Sequence, residues 1–358
     1  MKDTLPRRPT HILRRGAYDQ PDREVSPALP AAIMRYDRNG MKKDRSGLTE
    51  WLFDEKNPLT ARVFVNRVWE NFFGRGLVKT SGDFGFQGEL PSHPELLDWL
   101  AVDFMENGWD IKRLVKQIVT SATYQQGAKV RPEHLKIDPE NIFLSRAPRM
   151  RLPAELVKDL VLASSGLLVP EIGGPSVKPY QPEGIWEATT SGRGQLATYV
   201  QDHGESLYRR GLYNFIKRTA PPPSMLTFDA SPRDQCEVGR LRTNTPLQAL
   251  ILLNDPMVNE AARVFAERLL VKKYGSEEAI RLAFRSIVCR EISKKELSQL
   301  RNFYTTQQKS LGANPRRAKK ILEQGEFPHP KEVNTVDAAA LSLTILTIYN
   351  LEESITKS

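Results

Sequence analysis

From Asn57 to Tyr124, apolar residues fall at the spacing of one helical face in three successive runs, and this period confines the stretch to a packed group of helices. Ala61, Val65, Val68, Trp69 and Phe72 mark the first run, which Pro58 opens and Gly74 and Gly76 close. Leu96, Leu97, Leu100, Ala101 and Phe104 mark the second. Ser92 stands three residues before Glu95, a spacing that predicts a reciprocal capping box, and Asn107-Gly108 tolerates a left-handed helix end. Ile111, Leu114, Val115, Ile118, Val119 and Ala122 mark the third run, with Asp110 as its cap.

The loop between the first two runs, residues 77–90, together with His93 just beyond it, carries the most suggestive chemistry of the chain. Lys79, Asp83, Gln87, Glu89 and His93 lie there among glycines and aromatics. Asp83, Glu89 and His93 are candidate catalytic residues, because carboxylates and an imidazole exchange protons or hold a metal. Local structure explains the same residues with less. Capping accounts for 91–95, Asp83 in Ser-Gly-Asp is a turn former, and Phe84 and Phe86 can plug the loop.

Four segments are expected along the chain: an extended basic arm over 1–45, a helical half over 46–170, a loop-rich connection with a short strand over 171–235, and a second helical half over 236–358. Five prolines break the arm, in which Thr10–Leu13 can form one extended piece, and Leu48–Phe53 starts the helical body. Residues 125–148 read as a polar connection. A helix over 153–167 is predicted to bury Leu156, Val157, Leu160, Val161 and Ala163, and to pair Glu155 and Asp159 with Arg146, Arg149 and Arg151. Trp186 is an expected anchor of the loop-rich part. Residues 206–219 alternate in part and predict a strand or small hairpin, after which the Pro221–Pro223 triplet should be extended. Arg209, Arg210, Lys217 and Arg218, interleaved with aromatics, are candidate binding residues for a flexible anionic chain, though aromatics on such a strand are more often core. Thr245 and Gln248 repeat the capping-box spacing, and helical patterns continue over 246–274, 276–289, 294–311, 316–323 and 337–354. The expected fold is therefore mainly α: a multi-helix globular body with an extended N-terminal arm and one small strand or hairpin.

A formal charge of +9 raises the question of nucleic acid, so its location matters. Residues 1–45 hold 11 basic side chains, Arg7, Arg8, Arg14 and Arg15 among them, against 6 acidic; the remaining residues are nearly balanced. No zinc-finger, RNP or basic-zipper signature is present, which leaves nucleic-acid binding the weakest of three function classes. Cys236 and Cys289 can pair in an oxidising compartment, but they make no zinc site without histidines at ligand spacing, so no metal or cofactor is expected in this chain. The absence of a Cys-x-x-Cys-His motif means that the chain attaches no c-type haem by itself. No apolar run suits a membrane span, and no apolar leader is seen.

The strings NPLTARVFVNRVWENFFGRGLVKTSGDFG, PSHPELLDWLA, GGPSVKPYQPEGIW, YRRGLYNFIKRTAPPPSMLTFDA, CEVGRLRTNTPLQALILLNDP and LTILTIYNLEESITK closely resemble the planctomycete-specific domain of unknown function numbered 1553. The resemblance runs over nearly the whole chain. It implies an exported protein in which a leader, a cytochrome c module with haem c, and a second domain of unknown function precede this one, and it implies a secreted sulfatase-like partner. Extracytoplasmic placement follows from the resemblance, while the missing leader and haem motif point to a truncated or split reading frame. The leading expectation is a helical module that binds a partner domain or an extracellular polymer. A hydrolase or lyase acting on an anionic polysaccharide is the enzymatic alternative.

Overall fold

The structure is a computed structural model that describes residues 8–34, 40, 42–190, 194 and 196–357. Arg7 and the rest of the arm at 1–7, 35–39 and 41 lie outside the described residues. The fold is mainly α, and it divides into two compact units, Met1–Pro148 and Arg149–Ser358. Among the described residues no helix is long and apolar enough to cross a membrane.

In the first unit, β1 (Thr10–Leu13) pairs with β2 (Pro21–Val25) in an antiparallel hairpin with a bulge between His11 and Leu13. None of the described arm residues up to Met34 is buried. The body holds α1 (Arg45–Leu52), α2 (Thr60–Phe73), α3 (Pro94–Glu106), α4 (Ile111–Thr120) and the short α5 (Pro132–Ile137). Val65, Trp69 and Phe73 of α2 meet Leu97, Leu100 and Phe104 of α3 and Leu114 and Ile118 of α4, close to the faces that the period predicts, except that Phe73 is the more buried of the pair Phe72 and Phe73 and Ile111 is exposed. Gly74 ends α2 in the left-handed conformation, and Asp110 caps α4 by accepting from the Arg113 N–H at 3.1 Å. Helix α5 sits in what reads as a polar connection, because Pro132 occupies its first turn and starts a helix too short to show a period.

The second unit is built around α14 (Thr335–Tyr349), whose Ala338, Ala339, Ala340, Leu341, Ile345 and Ile348 are buried on all sides. A helix that is apolar all round needs neighbours all round. They are α10 (Pro256–Val271), α11 (Ser276–Val288), α12 (Lys294–Gly312) and α13 (Pro315–Leu322). Helix α6 (Ala154–Ser165) packs on α10 and α11, and α8 (Pro223–Thr227) and α9 (Pro246–Asn254) complete this side; α7 (Ile185–Thr190) carries Trp186, which is buried as an anchor. β3 (Met150–Arg151) pairs antiparallel with β4 (Thr356–Lys357) and ties the two ends of the unit together.

Several local expectations need correction. Helix α6 buries Val157, Lys158, Val161, Leu162 and Ser165, while Leu156 is exposed. Apolar residues lie on both flanks of this helix, so periodicity alone does not choose the face. Glu155 and Asp159 bind Arg240 and Arg210, at 2.7 and 3.6 Å, not Arg146, Arg149 and Arg151. Residues 206–219 form two 3-10 turns, at 204–208 and 211–213, together with isolated bridges, and no continuous strand. Gly211 explains part of this, since a Cβ there would lie 2.7 Å from the backbone of Glu155: the segment is pressed against α6 and not laid out as a ladder. The proline triplet ends in α8, with Pro223 in its first turn.

A buried charged group fastens residues 324–329 to α10. Arg263 donates to the Gln324 and Phe327 carbonyls and to Glu267, and Glu260 accepts from the Phe327 N–H at 2.7 Å and the Tyr208 hydroxyl at 2.9 Å. Arg263 thus faces two carboxylates, Glu260 at 3.7 Å and Glu267 at 2.9 Å, so the buried guanidinium is not left unpaired.

Candidate functional site

The loop after α2 is held from below by Asn66. This side chain, 0% exposed, accepts from the Val78 N–H at 2.8 Å and donates to the Val78 carbonyl at 3.1 Å and to Ser81 Oγ at 3.2 Å; Ser81 in turn donates to Glu70 at 2.7 Å. Gly76 admits the contact, because a Cβ there would stand 2.5 Å from Asn66 Nδ2. Leu77 and Val78 then enter the core, and Phe84 packs against it as a plug.

The tip of the loop is a turn. The Gly88 N–H donates to the Gly85 carbonyl at 3.0 Å and closes it around Phe86 and Gln87. Its base is fixed by Thr80, whose hydroxyl donates to the Asp83 carbonyl at 2.9 Å and accepts from the Glu89 N–H at 2.9 Å, and by Asp83 Oδ1, which accepts from the Gly85 N–H at 2.7 Å. Phe86 does not plug the loop. Its relative exposure is 111%, and that of Leu90 is 89%.

The three candidate acid and base residues each have a place in this framework. Asp83 organises the turn. Glu89 lies 3.6 Å from Lys79 and 3.9 Å from Arg75, which pairs more closely with Glu140 at 2.9 Å. His93 is the N-cap residue of α3, with Nδ1 3.0 Å from Ser92 Oγ. The Ser92 capping box does not form, because the Ser92 N–H and hydroxyl are both taken by the Leu77 carbonyl, and Pro94 starts the helix one residue later. Among the described residues no group of three or more His, Cys, Asp or Glu side chains is placed to hold a metal ion.

The basic set in the second unit separates by burial. Arg209 is internal: its guanidinium donates to the carbonyls of Glu171, Gly173 and Pro175 and stacks 4.0 Å from the Tyr213 ring. Lys217 is internal as well, donating to the Leu196 carbonyl at 2.9 Å and lying over the Trp186 ring at 4.7 Å. Arg210 faces solvent beside Asp159, and Arg218 is exposed. Two of the four cations are thus spent on the carbonyls of Glu171, Gly173, Pro175 and Leu196, which leaves a pair and no continuous stripe among the described residues. Cys236 and Cys289 are free and exposed.

Sequence reasoning passed over Phe86 as a presented group. The available signal was the glycine on either side, at 85 and 88, which marks a turn tip more readily than a core contact. Residues 44–304, from just before α1 into α12, match the family model described as PSD1: Protein of unknown function (DUF1553). No curated protein and no solved structure matches the chain.

Proposed function

The chain belongs to the PSD1 family of proteins of unknown function (DUF1553), and from that premise we propose that it is a binding module which docks a partner domain through the aromatic turn at 85–88. Phe86 is the observation that supports this: a fully exposed ring on a turn whose closing hydrogen bond, base and buried footing are all in place before any partner arrives. Burying such a ring in a partner's pocket is worth roughly 1.5–3 kcal/mol. An anchor that is already ordered loses little freedom on binding, which is how single aromatics become hot spots. Pairing of Lys79 with Glu89 and of Arg75 with Glu89 and Glu140 favours an apolar pocket over an anionic polymer. The family resemblance offers a cytochrome c-type domain and a secreted sulfatase-like protein as the first partners to try.

Two variants separate docking from catalysis. Phe86→Ser removes the anchor and should weaken binding to the partner at least tenfold. Asp83→Asn keeps an oxygen for the Gly85 N–H, so docking should persist, whereas hydrolysis of an anionic polysaccharide through Asp83, Glu89 and His93 would be lost in Asp83→Asn and Glu89→Gln. Polysaccharide turnover that disappears in those two variants and survives Phe86→Ser would replace docking with the enzymatic function.

A further inference from the structure

Lys158 is the chemically most unusual group in the second unit. It stands on the buried face of α6, 6% exposed, and Nζ donates to Asn214 Oδ1 at 2.7 Å, its one hydrogen bond among the described residues. Lys158 lines a cavity of about 50 Å³. Tyr180, Asn214, Ser224 and Asp255 are the other polar residues of its wall, and the rest is apolar, drawn from α6, α8, α9, α10 and the segments beside them. Asp255 is committed elsewhere: its carboxylate caps α10 by accepting from the N–H groups of Met257 at 2.9 Å and Val258 at 3.4 Å. An amine with one hydrogen bond at the wall of a largely apolar cavity differs from the other buried cations of this unit, Arg209, Lys217 and Arg263, each of which donates to two or more carbonyl or carboxylate oxygens.

We propose that Lys158 is a nucleophilic amine and that the cavity beside it is a site for a short, neutral aldehyde or ketone, held as an imine. The lone pair of the uncharged Nζ forms a bond to the carbonyl carbon while the C=O π pair moves onto oxygen. A proton passes from nitrogen to that oxygen to give the carbinolamine, and loss of the hydroxyl together with a proton, as water, leaves the C=N bond. No oxidant or reductant is consumed, and water reverses the step. A water needs about 10–15 Å³ of such space, so the cavity takes a few heavy atoms and falls well below the roughly 300 Å³ at which drug-sized ligands begin. Two- to four-carbon carbonyl compounds fit this scale. Asp255 disfavours an oxo acid, whose own carboxylate it would repel. Burial supports the chemistry by pushing Lys158 down to about 8, against the opposing pull of Asp159 and Asp255.

The test is reductive trapping on the full chain at pH 8 with propanal and cyanoborohydride, followed by peptide mass spectrometry. About half of Lys158 is then unprotonated against roughly 0.3% of an ordinary lysine, so the propyl adduct should form at Lys158 about a hundredfold faster than at exposed Lys272 or Lys309. The rate at Lys158 should saturate with propanal, 2,2-dimethylpropanal should leave it unlabelled, and in urea it should label no faster than its neighbours. Labelling of folded Lys158 at the rate of exposed lysines, or a rate that rises linearly with propanal without saturation, overturns the proposal. Neither outcome depends on the aromatic turn.

Discussion

Asn66 shows how much of the aromatic turn depends on one side chain. It binds both backbone polar groups of Val78 inside the core of the first unit, so Asn66→Ala leaves a buried N–H without a partner and the carbonyl with only the 3.5 Å contact from Ser81 Oγ. That change should cost about 2–3 kcal/mol in chemical denaturation, while Phe86→Ser should cost almost nothing. Equal losses in the two variants would show that Phe86 is a packed residue after all. The role of Asn66 was not legible in the sequence, because an asparagine within a helical period has the same letter whether it faces inward or outward, whereas the glycines at 85 and 88 did mark Phe86 for a turn tip. Lys158 makes a second residue-scale prediction. The groups that face it are Asp159 on its own helix, Asp255 ahead of α10, and Tyr180 across the cavity. Its folded-state value of about 8 lies below the ordinary 10.5, so the unfolded chain binds the proton more tightly. Stability should therefore rise as pH climbs from about 8 to 10.5, by up to about 3 kcal/mol. Lys158→Met should abolish that slope in urea titrations run across the range, and a slope that persists in the variant would assign it to another group.

At the scale of elements, the long helices were legible and their ends were less so. Periods of 3.6 residues repeat over α2, α3, α10, α11 and α12, where tertiary burial reinforces the pattern, whereas α14 is a continuous apolar run without one face. The short α5, α7 and α8 hold only five or six residues each, too few for a period to show, and prolines that read as breakers begin two of them. Caps depend on which neighbour claims the side chain. Ser92 serves Leu77, and Gln248 serves Arg151 and the Thr227 and Thr243 carbonyls, so neither expected box forms. A box does form at Ser293 and Glu296, which head α12. Hydrogen bonds from Arg290 and Ser293 hold the Glu296 carboxyl down to about 2. Its contribution is thus complete above the ordinary value of 4.5 and lost as pH falls toward 2. Ser293→Ala should lower stability by about 1 kcal/mol at neutral pH, and Glu296→Gln should flatten the acid limb between those values in thermal unfolding. An acid limb of unchanged steepness would place the titrating group elsewhere.

The whole molecule comprises two units, each with its own buried cluster: one around α2, α3 and α4, the other around α14. The expectation of a mainly helical body holds at this scale, because helix content and apolar spacing are properties of composition and period. Function was less legible, since the polar residues that look chemical in the sequence, Asp83, Glu89, Arg209 and Lys217, are placed to hold loops. The 149–358 segment, expressed alone, should unfold in one cooperative transition with native helical circular dichroism, given a core of its own. A molten or aggregated fragment would show that its core is incomplete. The most direct measurement of the docking account places a photo-crosslinking benzoylphenylalanine at position 86 of the full chain in producing cells, with exposed Leu241 of the second unit as the control position. The account predicts one adduct at position 86, absent at 241, that forms again from the two purified proteins and is competed away by unlabelled wild-type chain but not by Phe86→Ser. Identical products at both positions, or none at 86, would contradict it.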